Sequence, residues 1–218
     1  MRSAGCIVND ILDRKFDAKV FRTKDRPIAS GKISVKLAIF YSIILCFLAF
    51  LVLINFNLFT IFLALGSMPL AFTYPLMKRF TYWPQLFLGI TFNYGLILGW
   101  TAIKGKIDII PLIFYLGAIF WTLGYDTIYG FQDIKDDEII GLKSTSIKFK
   151  GNAKKFLFVC YSILIVLFVV GGLLMSFNYI FFIFSILSFV HLFLYQMKIF
   201  NFKDPISCLK AFKSNNLF

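Results

Sequence analysis

Six stretches of about twenty predominantly apolar residues dominate the chain, at roughly 35–54, 58–77, 84–103, 107–126, 156–176 and 178–197. Each is long enough for a helix to cross the hydrocarbon layer of a membrane. None has the alternation of about ten residues that a barrel strand needs, so the pattern predicts an all-α, multi-pass transmembrane helical bundle in a single domain, 1–218. The connections alternate in character. Asn55 to Asn57, Gly105 with its lysines, and Phe177 with Asn178 read as hairpin turns, whereas 10–34 and 127–155 are long and charged. Pro69 and Pro75 are placed to bend the second span, and Trp83 and Pro84 to open the third as an interfacial anchor and a first-turn proline. Gly89, Gly95 and Gly99 are expected to allow close helix packing. No cleavable signal peptide is expected before the first span.

Composition removes the soluble classes. Of 218 residues 59% are hydrophobic and 16% charged, and the mean hydropathy of +0.80 lies far above soluble usage. A net charge of +12 suggests nucleic acid until its distribution is considered: of 23 Lys and Arg, 20 fall on the connections 10–36, 78–83 and 127–155 and the C-terminal tail, and 2 on the opposite side. That is a positive-inside asymmetry, which puts those connections in the cytoplasm and makes the membrane, not nucleic acid, the partner of the basic excess. The cytoplasmic face of a bacterial inner membrane is the expected address. Cys6, Cys46, Cys160 and Cys208 are scattered, with neither a disulfide framework nor metal-ligand spacing, and read as core residues. The lone His191 reads as a hydrogen-bonded interior residue.

Nine of the eleven acids fall into two groups: Asp10, Asp13, Asp17 and Asp25, then Asp126, Asp133, Asp136, Asp137 and Glu138. Asn9, Asp13 and Asp17, and equally Asp10, Asp13 and Asp17, lie along one face of a helix. Bare carboxylates one turn apart repel, and a hard divalent cation, Mg²⁺ in preference to zinc, relieves the repulsion. Asp126, Asp133 and Asp137 share a face if their helix continues past the membrane boundary. Alone, the second group reads as a solvated face with weak ion pairs; two matching stripes at one membrane surface read as one site. Arg22, Arg26, Lys78, Arg79 and Lys143 lie between them, placed to face phosphate oxygens. A diphosphate supplies enough negative charge for acid-bound metals and several bases together, and the Phe-, Leu- and Ile-rich bundle suggests a lipid tail on it.

At these residues the sequence resembles the UbiA-type intramembrane prenyltransferases, and within them the branch that acts on 4-hydroxybenzoate in ubiquinone synthesis. The family pattern is filled by Asn9, Asp13, Phe16, Asp17, Val20, Arg22, Thr23, Arg26 and Gly31. Three further stretches carry the resemblance to that branch: "FTYPLMKRFTYWPQLFLG" at 72–89, "GYDTIYGFQDIKDDEIIGLKST" at 124–145 and "DPISCLKAFKSNN" at 204–216. The resemblance implies nine membrane helices around a lipid-accessible cavity, and Mg²⁺ held by Asn9, Asp10, Asp13 and Asp17 with Asp133 and Asp137. It implies that Arg22, Arg26 and Lys78 contact the diphosphate of a polyprenyl diphosphate, and that Tyr74 and Tyr129 line the pocket near the allylic carbon. Asp13, Asp17, Asp133 and Asp137 would carry the catalysis, with Lys143 among the substrate contacts.

Measured against that family, about six of nine helices are present, and the stretch after Arg2 looks like the tail of a membrane segment too short to span. The expectation is that this chain alone is inactive or unstable unless the rest is supplied. Competing readings are a naphthoate or haem acceptor within the family, and a transporter or inactive membrane remnant outside it. Transport is disfavoured because the ionisable residues gather at one surface, not at the midplane.

Overall fold

A computed structural model describes residues 2–20 and 23–217. Among them there is no strand, and six segments are long and apolar enough to cross a membrane: Val35–Leu53, Leu58–Phe80, Pro84–Lys104, Ile109–Gly130, Ala153–Leu174 and Tyr179–Ile199. The helices in chain order are α1 (Arg2–Asp17), α2 (Val35–Leu53), α3 (Leu58–Thr73), α4 (Met77–Phe80), α5 (Pro84–Lys104), α6 (Ile109–Gly130), α7 (Ile134–Ile140), α8 (Thr145–Lys148), α9 (Ala153–Leu174), α10 (Tyr179–Phe189), α11 (Met197–Ile199) and α12 (Pro205–Lys213).

The short turns are closed by caps. Asn57 accepts from the backbone N–H of Thr60 at 3.0 Å and Asn178 from that of Ile180 at 3.1 Å, each satisfying an orphan donor of the following helix. Gly105 ends α5 at φ 68°, the left-handed position at which a glycine carries no steric cost. Proline shapes the second span: α3 gives way to a 3-10 turn at Tyr74–Leu76 with Pro75 near its start, and the Thr73 hydroxyl donates back to the Pro69 carbonyl at 2.7 Å, a bond that bends helices. That bend delivers Tyr74 and Lys78 toward α1.

Helix α6 is the axis of the molecule, packed between α5 and α9. Within its most apolar window 39% is buried inside the protein, against 11% for α2, whose side chains face lipid. Close approach comes from Gly89, as the sequence suggested, and from Gly117 and Gly124, which it did not single out. A Cβ at Gly124 would collide with the Tyr161 ring and one at Gly117 with Phe168, while Gly89 lies 3.0 Å, measured from an ideal Cβ, from the Ile119 carbonyl. Gly95 and Gly99 have nothing within 4 Å; they lie on the exposed face of α5, so the packing expected of them is absent. Between α5 and α6, Asn93 Nδ2 donates to the Ala118 carbonyl and to Thr122 Oγ1, interhelical bonds worth about 0.6 kcal/mol each in lipid, and within α5 it also reaches the Gly89 carbonyl.

At the far end of the chain, Val190–Gln196 winds as a π-helix, a rare form. It turns Gln196 fully inward, where its side chain accepts from Tyr161 OH at 2.5 Å and donates to the Ala211 carbonyl and to Asn215 Oδ1, each at 3.0 Å. This network binds α12 to the bundle. His191 lies against Ser214 Oγ at 3.3 Å. Cys160 and Cys208 are buried as expected, but Cys46 is only half-buried and Cys6 is exposed because it lies on an outward face of α1; burial pushes the Cys208 thiol up to about 11.

Candidate active site

The first acidic stripe lies on the last three turns of α1, which ends at Asp17. Asp13 is 2% exposed and Asp17 8%, burial that isolated carboxylates do not tolerate. Neighbouring cations relieve it. Lys78 Nζ lies 2.5 Å from Asp13 Oδ2, and Arg79 Nη2 lies 3.7 Å from Asp13 Oδ1 while donating to the Leu12 carbonyl at 2.8 Å. Arg79 also stacks over the Phe16 ring, 5.1 Å from its centroid. Arg26, returned over α1 by the connection after it, places one nitrogen, Nη1, 3.0 Å from both Asp10 Oδ1 and Asp17 Oδ2. Burial holds the Asp10 carboxyl above its usual range; Arg26 pulls it down, and Asp17 and Asp13 push it up further. Asp13 Oδ1 is buried with no hydrogen-bond partner.

The second acidic group does not share a continuous helix face with Asp126, contrary to the condition set by the spacing. Helix α6 ends at Gly130, and Phe131 turns into the core at 1% exposure against Phe200 and Phe202. The chain restarts as α7 with Asp133 at its N-cap and Asp136 and Asp137 in its first turn, where acids complement the helix dipole. Polar residues then fasten the returning strand of chain. Gln85 Oε1 accepts from the Thr145 N–H at 3.0 Å, Thr127 and Thr145 hydroxyls bond at 2.6 Å, Ser146 donates to the Thr127 carbonyl at 2.7 Å, and the Lys143 N–H donates to the Lys78 carbonyl at 2.8 Å.

These elements enclose a cleft of about 280 Å³. Of the residues singled out in the sequence, Asn9, Asp13, Asp17, Arg26, Tyr74, Lys78, Asp126, Tyr129, Asp133, Asp137 and Lys143 line it. Asp10 stands beside the cleft, joined to it through Arg26. Arg22 lies outside the described residues. The Lys143 ammonium donates to the Phe80 carbonyl at 3.2 Å and stands over the Tyr82 ring. The sequence reading missed Gln85, Thr127, Thr145 and Ser146, whose only signal was an unusual density of polar residues at a span boundary. Phe16, Val20, Pro84 and Leu88 supply an apolar wall.

The donor set suits a hard divalent cation: carboxylates and an amide oxygen, one buried carboxylate oxygen without a hydrogen bond, and no thiolate or imidazole. Among the described residues no three Asp, Glu, His or Cys side chains converge into a chelating cluster. Mg²⁺ does not require one, since it usually binds one or two carboxylates and completes its shell with phosphate and water.

The UbiA prenyltransferase family model matches residues 1–217. A mitochondrial 4-hydroxybenzoate polyprenyltransferase of Rattus norvegicus is 51% identical over 158 residues, covering 72% of this chain and 42% of that protein; the chain thus spans less than half the length of this relative. The 4-hydroxybenzoate geranyltransferase 1 of Lithospermum erythrorhizon is 40% identical over 222 residues, covering 100% of this chain and 71% of that one. Among solved structures, the apo form of a UbiA homologue from Aeropyrum pernix K1 aligns with a TM-score of 0.79 at 22% identity, covering 99% of this chain and 85% of its own. A UbiA homologue from Archaeoglobus fulgidus bound to GPP and Mg²⁺ aligns at 0.73 and 20% identity, covering 98% and 79%. At these identities the structures establish the shared fold.

Proposed function

The chain belongs to the UbiA prenyltransferase family, and from that premise we propose that its cleft transfers a polyprenyl group from polyprenyl diphosphate to the ring of 4-hydroxybenzoate, with Mg²⁺ as cofactor. The single observation that carries this reading is the convergence of both acidic groups, with Arg26 and Lys78, on one cleft at the basic side of an all-helical membrane bundle. Asn9, Asp10, Asp13, Asp17, Asp133 and Asp137 hold the metal, which when bound supplies positive charge to the departing diphosphate. Arg26 and Lys78 meet the diphosphate oxygens, and Lys143 and Arg22 complete the basic surround. The allylic carbon–oxygen bond breaks with its electron pair leaving on the diphosphate. Tyr74 and Tyr129 present ring faces to the developing allylic cation and exclude water from it. The ring carbon beside the phenol oxygen then bonds to the allylic carbon and loses its proton. The apolar wall of Phe16, Val20, Pro84 and Leu88 takes the tail.

The membrane is proposed to be a bacterial inner membrane with the cleft on its cytoplasmic side, from the asymmetry of Lys and Arg; the mitochondrial address in the name of the rat relative gives a second reading, in which the cleft faces the matrix.

The test is to incubate membranes containing the protein with labelled 4-hydroxybenzoate and a polyprenyl diphosphate, with and without Mg²⁺, and in parallel with a labelled naphthoate. Prenylated benzoate formed only with the metal is expected. Product from the naphthoate alone would overturn the acceptor, and metal-independent product would overturn the site.

A further inference from the structure

Every carboxylate of the first stripe already has a positive partner. Arg26 Nη1 bridges Asp10 and Asp17 at 3.0 Å to each, drawing together side chains whose backbone positions lie seven residues, about 10 Å, apart along the helix axis. Lys78 Nζ sits 2.5 Å from Asp13, with Arg79 behind it. The two cations assigned above to the diphosphate are therefore spent on the acids assigned above to the metal. Neither these two cations nor these three carboxylates are free for a ligand while the pairs last. One nitrogen drawing two distant carboxylates together is the arrangement a bridging cation would make.

We propose that Arg26 and Lys78 are exchangeable counter-ions: they hold the acids by ion pairs, release them when a divalent cation binds, and turn to the diphosphate that arrives with it. The inference rests on the reading of this cleft as a metal–diphosphate site. It makes metal binding without diphosphate weak, because the metal must first strip carboxylates of their partners and leave Arg26 and Lys78 unpaired in a half-buried place. Diphosphate relieves that penalty by giving both cations a new partner. Loading of metal and diphosphate is then coupled through the protein's own side chains as well as through their mutual contact. Lys143 is outside the exchange, because its ammonium rests on the Phe80 carbonyl and not on a carboxylate.

The experiment is Mn²⁺ binding, followed by electron paramagnetic resonance, to the purified full-length protein in nanodiscs, with and without inorganic pyrophosphate. Arg26→Gln and Lys78→Gln are each expected to tighten Mn²⁺ binding about tenfold in the absence of pyrophosphate and to shrink the gain that pyrophosphate brings. Lys143→Gln, which removes a nearby charge without freeing a carboxylate, is expected to change it by less than about twofold. In the wild-type protein, the rate at which an amine-acylating reagent modifies Lys78, read by mass spectrometry, should rise several-fold with Mn²⁺ alone and fall again with pyrophosphate. Unchanged or weaker Mn²⁺ binding in both glutamine variants, or equal tightening in Lys143→Gln, overturns the exchange while leaving the site intact. A wild-type protein that binds no Mn²⁺ even with pyrophosphate overturns the site reading and the exchange with it.

Discussion

Asp13 is the residue on which most of the chemistry converges: buried, paired with Lys78, and holding one oxygen without a hydrogen bond. Asp13→Asn keeps its shape and removes its charge, and is expected to lower prenyl transfer by at least about 100-fold, read as product per amount of folded protein in membranes. Lys78→Met asks a different question. It leaves a buried carboxylate with only Arg79 at 3.7 Å, and is expected to destabilise the protein by about 3 kcal/mol, the low end for breaking a buried pair, seen as a lower midpoint in thermal unfolding. The spacing of Asn9, Asp10, Asp13 and Asp17 announced the stripe from the sequence alone, because three- and four-residue periods are local geometry. The bridge made by Arg26 was not legible, since it depends on how the connection after α1 folds back, which no local pattern encodes.

At the scale of elements, the second acidic group is placed by a helix that stops and a loop that is fastened. Continuity of α6 beyond the membrane was the natural expectation from Asp126, Asp133 and Asp137, and it fails because Phe131 gains more by entering the core beside Phe200 than by extending the helix into water. Gln85→Leu strips the acceptor from the buried Thr145 N–H. It is expected to cost about 1–3 kcal/mol and to raise KM for the prenyl diphosphate more than KM for the aromatic acid, measured by steady-state kinetics beside a melting curve. Gly124→Val tests the other support of α6: the added methyls meet the Tyr161 ring, and separation of α6 from α9 should cost about 1–3 kcal/mol, measured by the same melting assay. Glycines that matter for packing were hard to pick from sequence, because a glycine facing a neighbour and one facing lipid look alike until the partner helix is known.

For the whole molecule, the six spans were readable because hydropathy adds up residue by residue over a window, and the positions found differ from those expected by a few residues at the ends. Which span would be central was not readable: all six are apolar on every side, and only packing distinguishes α6 from α2. Orientation follows from charge. With the four native cysteines replaced, a membrane-impermeant maleimide applied to intact cells is expected to label Lys106→Cys and to leave Lys155→Cys unlabelled until the membrane is opened; the opposite pattern would invert the molecule and the side from which its cleft is reached. The chain carries its burial toward one end, in the cluster built from α6, α9 and α12, whereas α2 and α3 present mostly lipid-facing surface.

The Gln196 network has a mechanical side. Phe212, carried on α12, packs tilted against Tyr129 with ring centroids 4.6 Å apart, and Tyr129 also lines the cleft. Phe212 backs that ring, and α12, which carries Phe212, is tied to the bundle by the bonds from Gln196 to Ala211 and Asn215. The stiffness of one wall of the reaction chamber is thus lent to it by an amide buried in a different helix, like a door whose hinge pin is kept in another room.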